Sequence, residues 1–347
     1  MKYLHVARFV LETPWAIQRS TLDEIEAILQ FHMEGGKFTP EELRARLGDP
    51  QPAESLTRGA VAILPLQGVI SHRMGGMSEM SGGMSTERFS AMFRKAITDD
   101  NVSAILIDTN TPGGTIAGVT ELAAEIFAAR GRKPIVAHVN ALAASAGYWI
   151  AASADEIVST PSGQVGALGV ITSHLDTSKA DAKFGLTRTV ISAGKFKDEG
   201  YGPLSDAAKA AIQARVDEAY AVMTADIARG RKVKASVIRD GYGEGRVVSA
   251  TEGLKLGMID RIATFDETVG RLTGRQQPAG LRGEAIDQGE PVSCSCETTN
   301  PMHCAINARW SPDDPPTFTP ACHVWSQPFT AFDAMGDADR RRRLERF

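Results

Sequence analysis

The residues that could do chemistry are a serine, a lysine and a pair of glycines in the middle of the chain. Ser145 lies among small residues where an apolar run gives way to a helical pattern, so a substrate could reach its hydroxyl. Lys197 could serve as its general base if burial lowers the lysine pKa. Gly113 and Gly114 follow a proline and precede a helical pattern, which suits an oxyanion site of backbone amides. Each feature alone has a plainer explanation: a packing serine, a solvated lysine and a tight turn.

A histidine offers an alternative base for the same serine. His174 follows Ser145 by 29 residues and has Asp176 close to it, so a Ser–His–Asp arrangement is also open. His138 lies inside an apolar run, which indicates a histidine of the core. The residue types therefore leave two candidate bases, Lys197 and His174.

The cysteines form the only other cluster of reactive side chains in the sequence. All four lie beyond residue 293, so disulfides do not staple the rest of the chain. With two nearby histidines they suffice for tetrahedral zinc, but their spacing lacks the paired Cys-x₂-Cys knuckles of strong zinc motifs. We treat them as weak candidate ligands and predict neither a metal nor a cofactor. These cysteines are Cys294, Cys296, Cys304 and Cys322.

Strands and helices alternate around the candidate residues. Short apolar runs predict strands over 61–66, 104–108, 135–139 and 156–158, and helical periodicity predicts helices over 86–98, 143–153 and 205–229. A strand–helix–strand unit closes the pattern over 245–260. The alternation predicts an α/β fold in which helices cover a parallel sheet.

The chain divides into three predicted regions. Residues 1–57 form a helical N-terminal extension, with one helix over 20–31 and another beginning near 39. Residues 58–272 form the α/β domain. Residues 273–347 are rich in proline, hold every cysteine and have no sustained periodicity, which predicts an irregular, loop-rich or partly disordered tail.

Composition excludes several classes of function. The 347 residues include 38 basic and 42 acidic side chains, for a net charge of −4, whereas a general nucleic-acid binder has a basic excess. No apolar stretch is long enough to cross a bilayer, and the N-terminal apolar stretch is interrupted by Arg8 and Glu12, unlike a secretory signal. We expect a soluble cytoplasmic protein.

Six segments, taken in order, resemble peptidase family S49, the signal-peptide-peptidase A-like group of the ClpP/crotonase superfamily. They span most of the chain, within residues 58–272. The segments are VAILPLQGVI (61–70), TPGG (111–114), ASAGY (144–148), GQVGALG (163–169), SAGKFK (192–197) and GRVVSATEGLKLGMID (245–260).

The resemblance implies a ClpP/crotonase-like fold of repeated β-β-α units and a Ser–Lys dyad. Ser145 would be the nucleophile, Lys197 the general base, and the amide of Gly114, with that of Gly113, the oxyanion site. It favours Lys197 over His174. Ala146 departs from the glycine that many relatives have beside the nucleophile, which would narrow the space there.

The N-terminal extension resembles the phage and prophage branch of the family, the minor capsid protein C-like head-maturation proteases. That branch implies scaffold or capsid proteins as substrates, a homo-oligomer, and a place in the bacterial cytoplasm or a phage prohead. The Met/Gly-rich loop over 74–84 would suit a lid or subunit contact, or is simply a surface loop. Alternatives are a soluble signal-peptide-peptidase-like degrading enzyme, a crotonase-like acyl-CoA binder without a serine nucleophile, and a silent capsid component.

Overall fold

A computed structural model of the chain describes residues 4–39, 42, 55–73, 83–187, 189–194, 197–198, 200 and 202–274. Residues 74–82 of the loop predicted over 74–84 lie outside the described residues, as does the tail from residue 275 with its four cysteines, whereas Met84 begins a short strand. The predictions about that loop and about zinc therefore stay predictions.

The described helices and strands follow the predicted alternation closely. In chain order they are α1 (Leu4–Glu12), β1 (Trp15–Ile17), α2 (Arg19–Met33), β2 (Leu56–Arg58), β3 (Val61–Gln67), β4 (Ile70–Ser71), β5 (Met84–Ser85), α3 (Thr86–Thr98), β6 (Ala104–Thr111), β7 (Gly113–Thr115), α4 (Val119–Ala128), β8 (Ile135–Ala144), α5 (Ala146–Ala151), β9 (Glu156–Ser159), β10 (Gln164–Gly166), α6 (Ser178–Lys183), α7 (Asp206–Arg231), α8 (Ala235–Gly241), β11 (Val247–Ser249), α9 (Ala250–Lys255), β12 (Arg261–Ile262) and α10 (Phe265–Leu272).

The main sheet is built on three parallel strands, β3, β6 and β8, with β6 in the centre. Most of their residues are apolar and buried, as expected for parallel strands covered by helices, and polar residues occur mainly toward the C-terminal ends of β6 and β8. The antiparallel β2 and β11 lie at the two ends of this sheet. The predicted α/β fold with a helix-covered parallel sheet is confirmed.

Strand β8 is longer than its apolar run predicts and leads directly to the candidate nucleophile. Its first half pairs with β9 and its second half with β10, both in parallel. Because two short strands share one edge of β8, the strand remains paired as far as Ala144. Ser145 is therefore placed at the end of a strand that is paired in both its first and its last residues.

A second, four-stranded sheet has the order β1-β7-β4-β5. In it, β1 of the N-terminal extension pairs antiparallel with β7, which contains both candidate glycines. The sequence patterns predict helices in the extension and do not predict this strand. The extension is thus joined to the α/β domain beside the candidate site.

Side-chain N-caps define where several of the described helices begin. Ser85 begins α3 by accepting from the N–H of Arg88, and Ser205 begins α7 by accepting from that of Ala208. Thr264 and Glu267 form a reciprocal capping box at α10. Among the described helices, none has the length and apolar content needed to cross a membrane.

Candidate active site

Ser145 occupies a sharp turn between β8 and α5. Its φ of 52° and ψ of −114° lie in a region that non-glycine residues rarely adopt. Its N–H donates to the carbonyl of Gly166 at 2.7 Å, and its Oγ donates to the carbonyl of Gly169 at 3.3 Å. The residue is fully buried, at 0% exposure. The turn therefore presents the hydroxyl at the start of a helix, in a site that water does not reach in this structure.

The helix that follows the serine is anchored by its two large aromatic side chains. Tyr148 donates its hydroxyl to the carbonyl of Met258 at 2.7 Å, and burial raises the pKa of this phenol, so it stays a protonated donor. Trp149 donates its ring N–H to Asp226 at 3.0 Å. Gly147 lets the helix approach β6, because a Cβ there would lie 2.3 Å from Cγ2 of Thr111. These contacts fix α5 on the sheet.

Arg130 stabilises the other end of the same helix. Its guanidinium donates to the carbonyls of Ala152 and Ser153, each at 2.9 Å, and also to that of Ala154. These carbonyls belong to the three residues that follow α5, beginning with its C-cap Ala152, where a helix end leaves acceptors without partners. A third arm reaches the carbonyl of Gly230 in α7 at 3.2 Å. One side chain thus joins the nucleophile helix to the longest described helix.

The two candidate oxyanion glycines lie next to the serine turn. A Cβ on Gly113 would lie 3.1 Å from the carbonyl oxygen of Ala144, the residue before Ser145. The N–H of Gly113 donates to Oγ1 of Thr111 at 3.1 Å, and its φ is 100°. The structure therefore brings together three of the predicted site residues, Ser145, Gly113 and Gly114.

The two candidate bases are placed differently. Lys197 is exposed, and its backbone N–H donates to the carbonyl of Gly194 at 3.1 Å. His174 has its Nε2 2.8 Å from the carbonyl oxygen of Gly202. Within the described part of the chain, no hydrogen bond joins either side chain to Ser145. In the described part of the chain, neither candidate base is thus hydrogen-bonded to the nucleophile.

Asp176, the third member of the alternative triad, is hydrogen-bonded to the backbone two residues further along the chain. Its Oδ1 accepts from the N–H of Ser178 at 2.9 Å, and this backbone hydrogen bond lowers the pKa of the carboxyl group. Among the described residues, no group of three or more His, Cys, Asp or Glu side chains is arranged to hold a metal ion.

One part of the site was missed by sequence reasoning. Strand β1 lies between β7 and Ile171, close to the glycine pair. Its only signal in the sequence is the three-residue apolar run after Pro14, which is too short to show a strand period.

Comparison with known protein families matches residues 128–277 to peptidase family S49. The match begins at the end of α4 and includes the serine turn, Lys197 and His174, and the closing unit of the domain. This segment of the chain is therefore similar to peptidase family S49.

Curated relatives include two phage proteins. The head-tail preconnector protein of Enterobacteria phage P21 is 26% identical over 70% of this chain and 48% of its own length. The capsid assembly protease C of Escherichia phage lambda is 28% identical over 68% of this chain and 55% of its own. The chain thus spans about half the length of these relatives.

Two further comparisons are more distant. Protease 4 of Haemophilus influenzae is 25% identical over 65% of this chain and 37% of its own length. The solved structure of a membrane-bound stomatin-specific protease aligns with 64% of this chain and 92% of its own, at 17% identity and a TM-score of 0.42.

Proposed function

We propose that this protein is a serine endopeptidase of the S49 type that cleaves phage scaffold or capsid proteins through an acyl-enzyme on Ser145. The observation that carries the proposal is the position of Ser145. It lies within the segment similar to peptidase family S49, on a sharp strand-to-helix turn beside the glycine pair Gly113 and Gly114. This is the kind of place where a hydroxyl is held at a helix start with backbone amides close by.

In the proposed reaction, Oγ of Ser145 attacks the scissile carbonyl carbon and its proton passes to Nζ of Lys197. The amide of Gly114 binds the oxyanion, joined by that of Gly113 once its N–H leaves Oγ1 of Thr111; one such donor contributes about 10²–10³ in rate. Lys197 then gives the proton to the leaving amine, which departs as the peptide bond breaks. Water, deprotonated by the same lysine, hydrolyses the ester and frees Ser145.

The proposal requires a rearrangement around Lys197. In the structure this residue is exposed, whereas a lysine acts as a base near neutral pH when burial lowers its pKa. The competent state must therefore bring Lys197 to Ser145 and remove its water. His174 stays the alternative base.

The choice of substrate rests on the phage relatives. One is named as a head-tail preconnector protein and the other as a capsid assembly protease. We infer by analogy that this protein acts in the host cytoplasm or a prohead, as a homo-oligomer, on structural proteins of a capsid.

The test is cleavage of a candidate scaffold or capsid protein by the purified chain, with the cuts located by mass spectrometry. We expect Ser145→Ala and Lys197→Ala each to lower the rate at least 10³-fold. Lys195→Ala, a lysine two positions away, is the matched control and is expected to leave it unchanged. Full activity of Lys197→Ala together with loss in His174→Ala would replace the dyad by a Ser–His arrangement.

A second measurement separates the peptidase from its alternatives. A fluorophosphonate probe reacts with an activated serine and is expected to label Ser145, but not the Ser145→Ala variant. Cleavage of an unfolded general substrate without any cut in capsid proteins would favour a degrading enzyme. A protein whose Ser145 is never labelled and which cuts nothing is not a serine peptidase.

A further inference from the structure

Strand β1 is hydrogen-bonded on both of its edges by the segments that border Ser145. On one side, Trp15 and Ile171 exchange two backbone hydrogen bonds of 2.8 and 2.9 Å. On the other side, β1 pairs with β7, and the N–H of Gln18 donates to the carbonyl of Pro112 at 2.8 Å. Ile171 comes two residues after Gly169, whose carbonyl accepts from the Ser145 hydroxyl. The strand therefore lies between two segments that border the candidate nucleophile.

The register of this pairing directs one carbonyl of β1 at the glycine pair. Backbone groups of consecutive residues in an antiparallel strand point to opposite edges. Since both groups of Trp15 point at Ile171, those of Ala16 point at Gly114, its partner across β7. The carbonyl oxygen of Ala16 lies 2.2 Å from the place that a Cβ on Gly113 would take. A backbone carbonyl of the chain itself thus faces the amide assigned to the oxyanion site.

The side chains of β1 divide between two environments. Ala16 is fully buried in the main core, whereas Trp15 and Ile17 belong to a separate cluster with Val10 and Leu22 of the flanking helices. The ring N–H of Trp15 donates to the carbonyl of Val10 at 2.6 Å. The α/β domain thus holds β1 through backbone hydrogen bonds, through the buried methyl group of Ala16, and through Val69 and Ile171, which pack against the cluster of Trp15 and Ile17. Backbone hydrogen bonds combined with contacts to alternate side chains are how an added peptide strand is bound at a sheet edge.

We propose that β1 occupies the peptide-binding cleft of the Ser145 site as an internal substrate mimic, and that it must leave before an external substrate can bind. The proposal rests on the proposed function of Ser145. It accounts for three observations: the buried nucleophile, the carbonyl of Ala16 at the glycine pair, and the pairing of β1 on both edges.

The proposal also defines the kind of substrate. A replacing segment is extended, runs antiparallel to β7 and carries a small side chain at the position of Ala16, where the core leaves no room for a larger one. Because β1 competes with the substrate, the substrate binds only those molecules from which β1 has left. The apparent affinity for substrate therefore equals the intrinsic affinity multiplied by that fraction of molecules.

A reversible covalent lock tests the proposal in the full chain. Trp15 and Thr115 form a non-hydrogen-bonded pair, in which side chains lie closest, so cysteines at these positions can be joined. The variant carries Trp15→Cys and Thr115→Cys, with the four native cysteines changed to serine. We expect oxidation to lower fluorophosphonate labelling of Ser145 at least tenfold and reduction to restore it. Each single-cysteine variant, treated identically, is the control.

A second variant does not depend on disulfide formation. Trp15→Ala removes the anchor of β1 in its helical cluster, and we expect it to raise the labelling rate of Ser145 severalfold. Phe9→Ala, at a side chain of α1 that is 64% exposed, is the matched control and is expected to label like the wild type.

The outcomes separate the two proposals. Equal labelling of the oxidised and reduced double-cysteine variant would overturn the substrate mimic and leave the serine peptidase intact. If the disulfide does not form, the same conclusion follows when Trp15→Ala is labelled no faster than the wild type. Absence of labelling in every variant and redox state would overturn the peptidase proposal and with it the mimic.

Discussion

Gly113 and Gly114 show how little space surrounds the candidate oxyanion site. A Cβ on Gly114 would lie 1.8 Å from the carbonyl oxygen of Ile70, and one on Gly113 would lie 2.2 Å from that of Ala16. Both obstacles are backbone atoms, which cannot turn aside as a flexible side chain can. At φ 100°, Gly113 also has a conformation that favours glycine. These positions are therefore glycine because three strands converge on them.

We expect Gly114→Ala to lower the free energy of unfolding by about 1–3 kcal/mol, because the added methyl group pushes β7 away from β4. The measurement is urea denaturation followed by circular dichroism. Gly202→Ala is the control, since a Cβ there meets nothing within 4 Å. Equal denaturation midpoints for the two variants would show that the β4–β7 contact yields easily.

At the level of elements, helix α5 depends on partners from distant parts of the chain. Its aromatic side chains are bonded to Met258 and Asp226, and the carbonyls at its end are bonded to Arg130. A helix of six residues has little stability of its own, so these tertiary contacts decide its position. The orientation of Ser145 follows from them.

Replacing Arg130 tests this support. In Arg130→Ala several carbonyls lose their donor, and we expect the free energy of unfolding to fall by about 2–3 kcal/mol. The proposed reactivity of Ser145 is expected to fall as well, because α5 loses its fixed end. Arg132→Ala, an exposed arginine two positions along, is the control for charge. If both variants denature at the wild-type midpoint, α5 does not depend on Arg130.

Elements that local contacts form can be predicted from the sequence, whereas strands that pair with remote segments cannot. Helix α3 has the bounds predicted from its periodicity, Thr86–Thr98, since its cap and apolar face are local. The strand over Ile135–Val139 was expected to end there, but it continues to Ala144 because β10 pairs with its second half. Strand β1 was not predicted, since three residues carry no period and its partners are remote in sequence.

The candidate site was predictable to a similar degree. The positions of Ser145, Gly113 and Gly114 at the ends of strands follow from local patterns of small residues. The carbonyl of Ala16 at the glycine pair depends on a pairing between remote segments, which no local pattern contains. The placement of Lys197 on an exposed segment is likewise a tertiary property.

For the molecule as a whole, acid stability is expected to depend on His138. This side chain is fully buried on β8, and burial lowers its pKa from 6.5 to about 4. Thr268 uses its hydroxyl hydrogen on Thr264, so its oxygen accepts from Nδ1 of His138 at 3.3 Å. The neutral imidazole is the form that the folded domain holds.

The unfolded chain takes up a proton at His138 near pH 6.5, whereas the folded chain does so only near pH 4. The free energy of unfolding should therefore fall as the pH decreases from 6.5 to 4, with a contribution from His138 of up to about 3 kcal/mol. Denaturation across this range checks it, and His138→Gln should flatten the slope. The control is His72→Gln, at an exposed histidine. If stability falls with pH at the same slope in His138→Gln and His72→Gln, His138 is not the cause.

The position of β1 in the chain also has a consequence for biosynthesis. This strand leaves the ribosome long before β7 and Ile171, the two segments that hold it. Contacts between remote segments form late in folding, because they close long loops. We therefore expect each newly made molecule to assemble the walls of the proposed cleft first and to receive β1 afterwards. Such an order would give every molecule a transient folded form in which the cleft is empty.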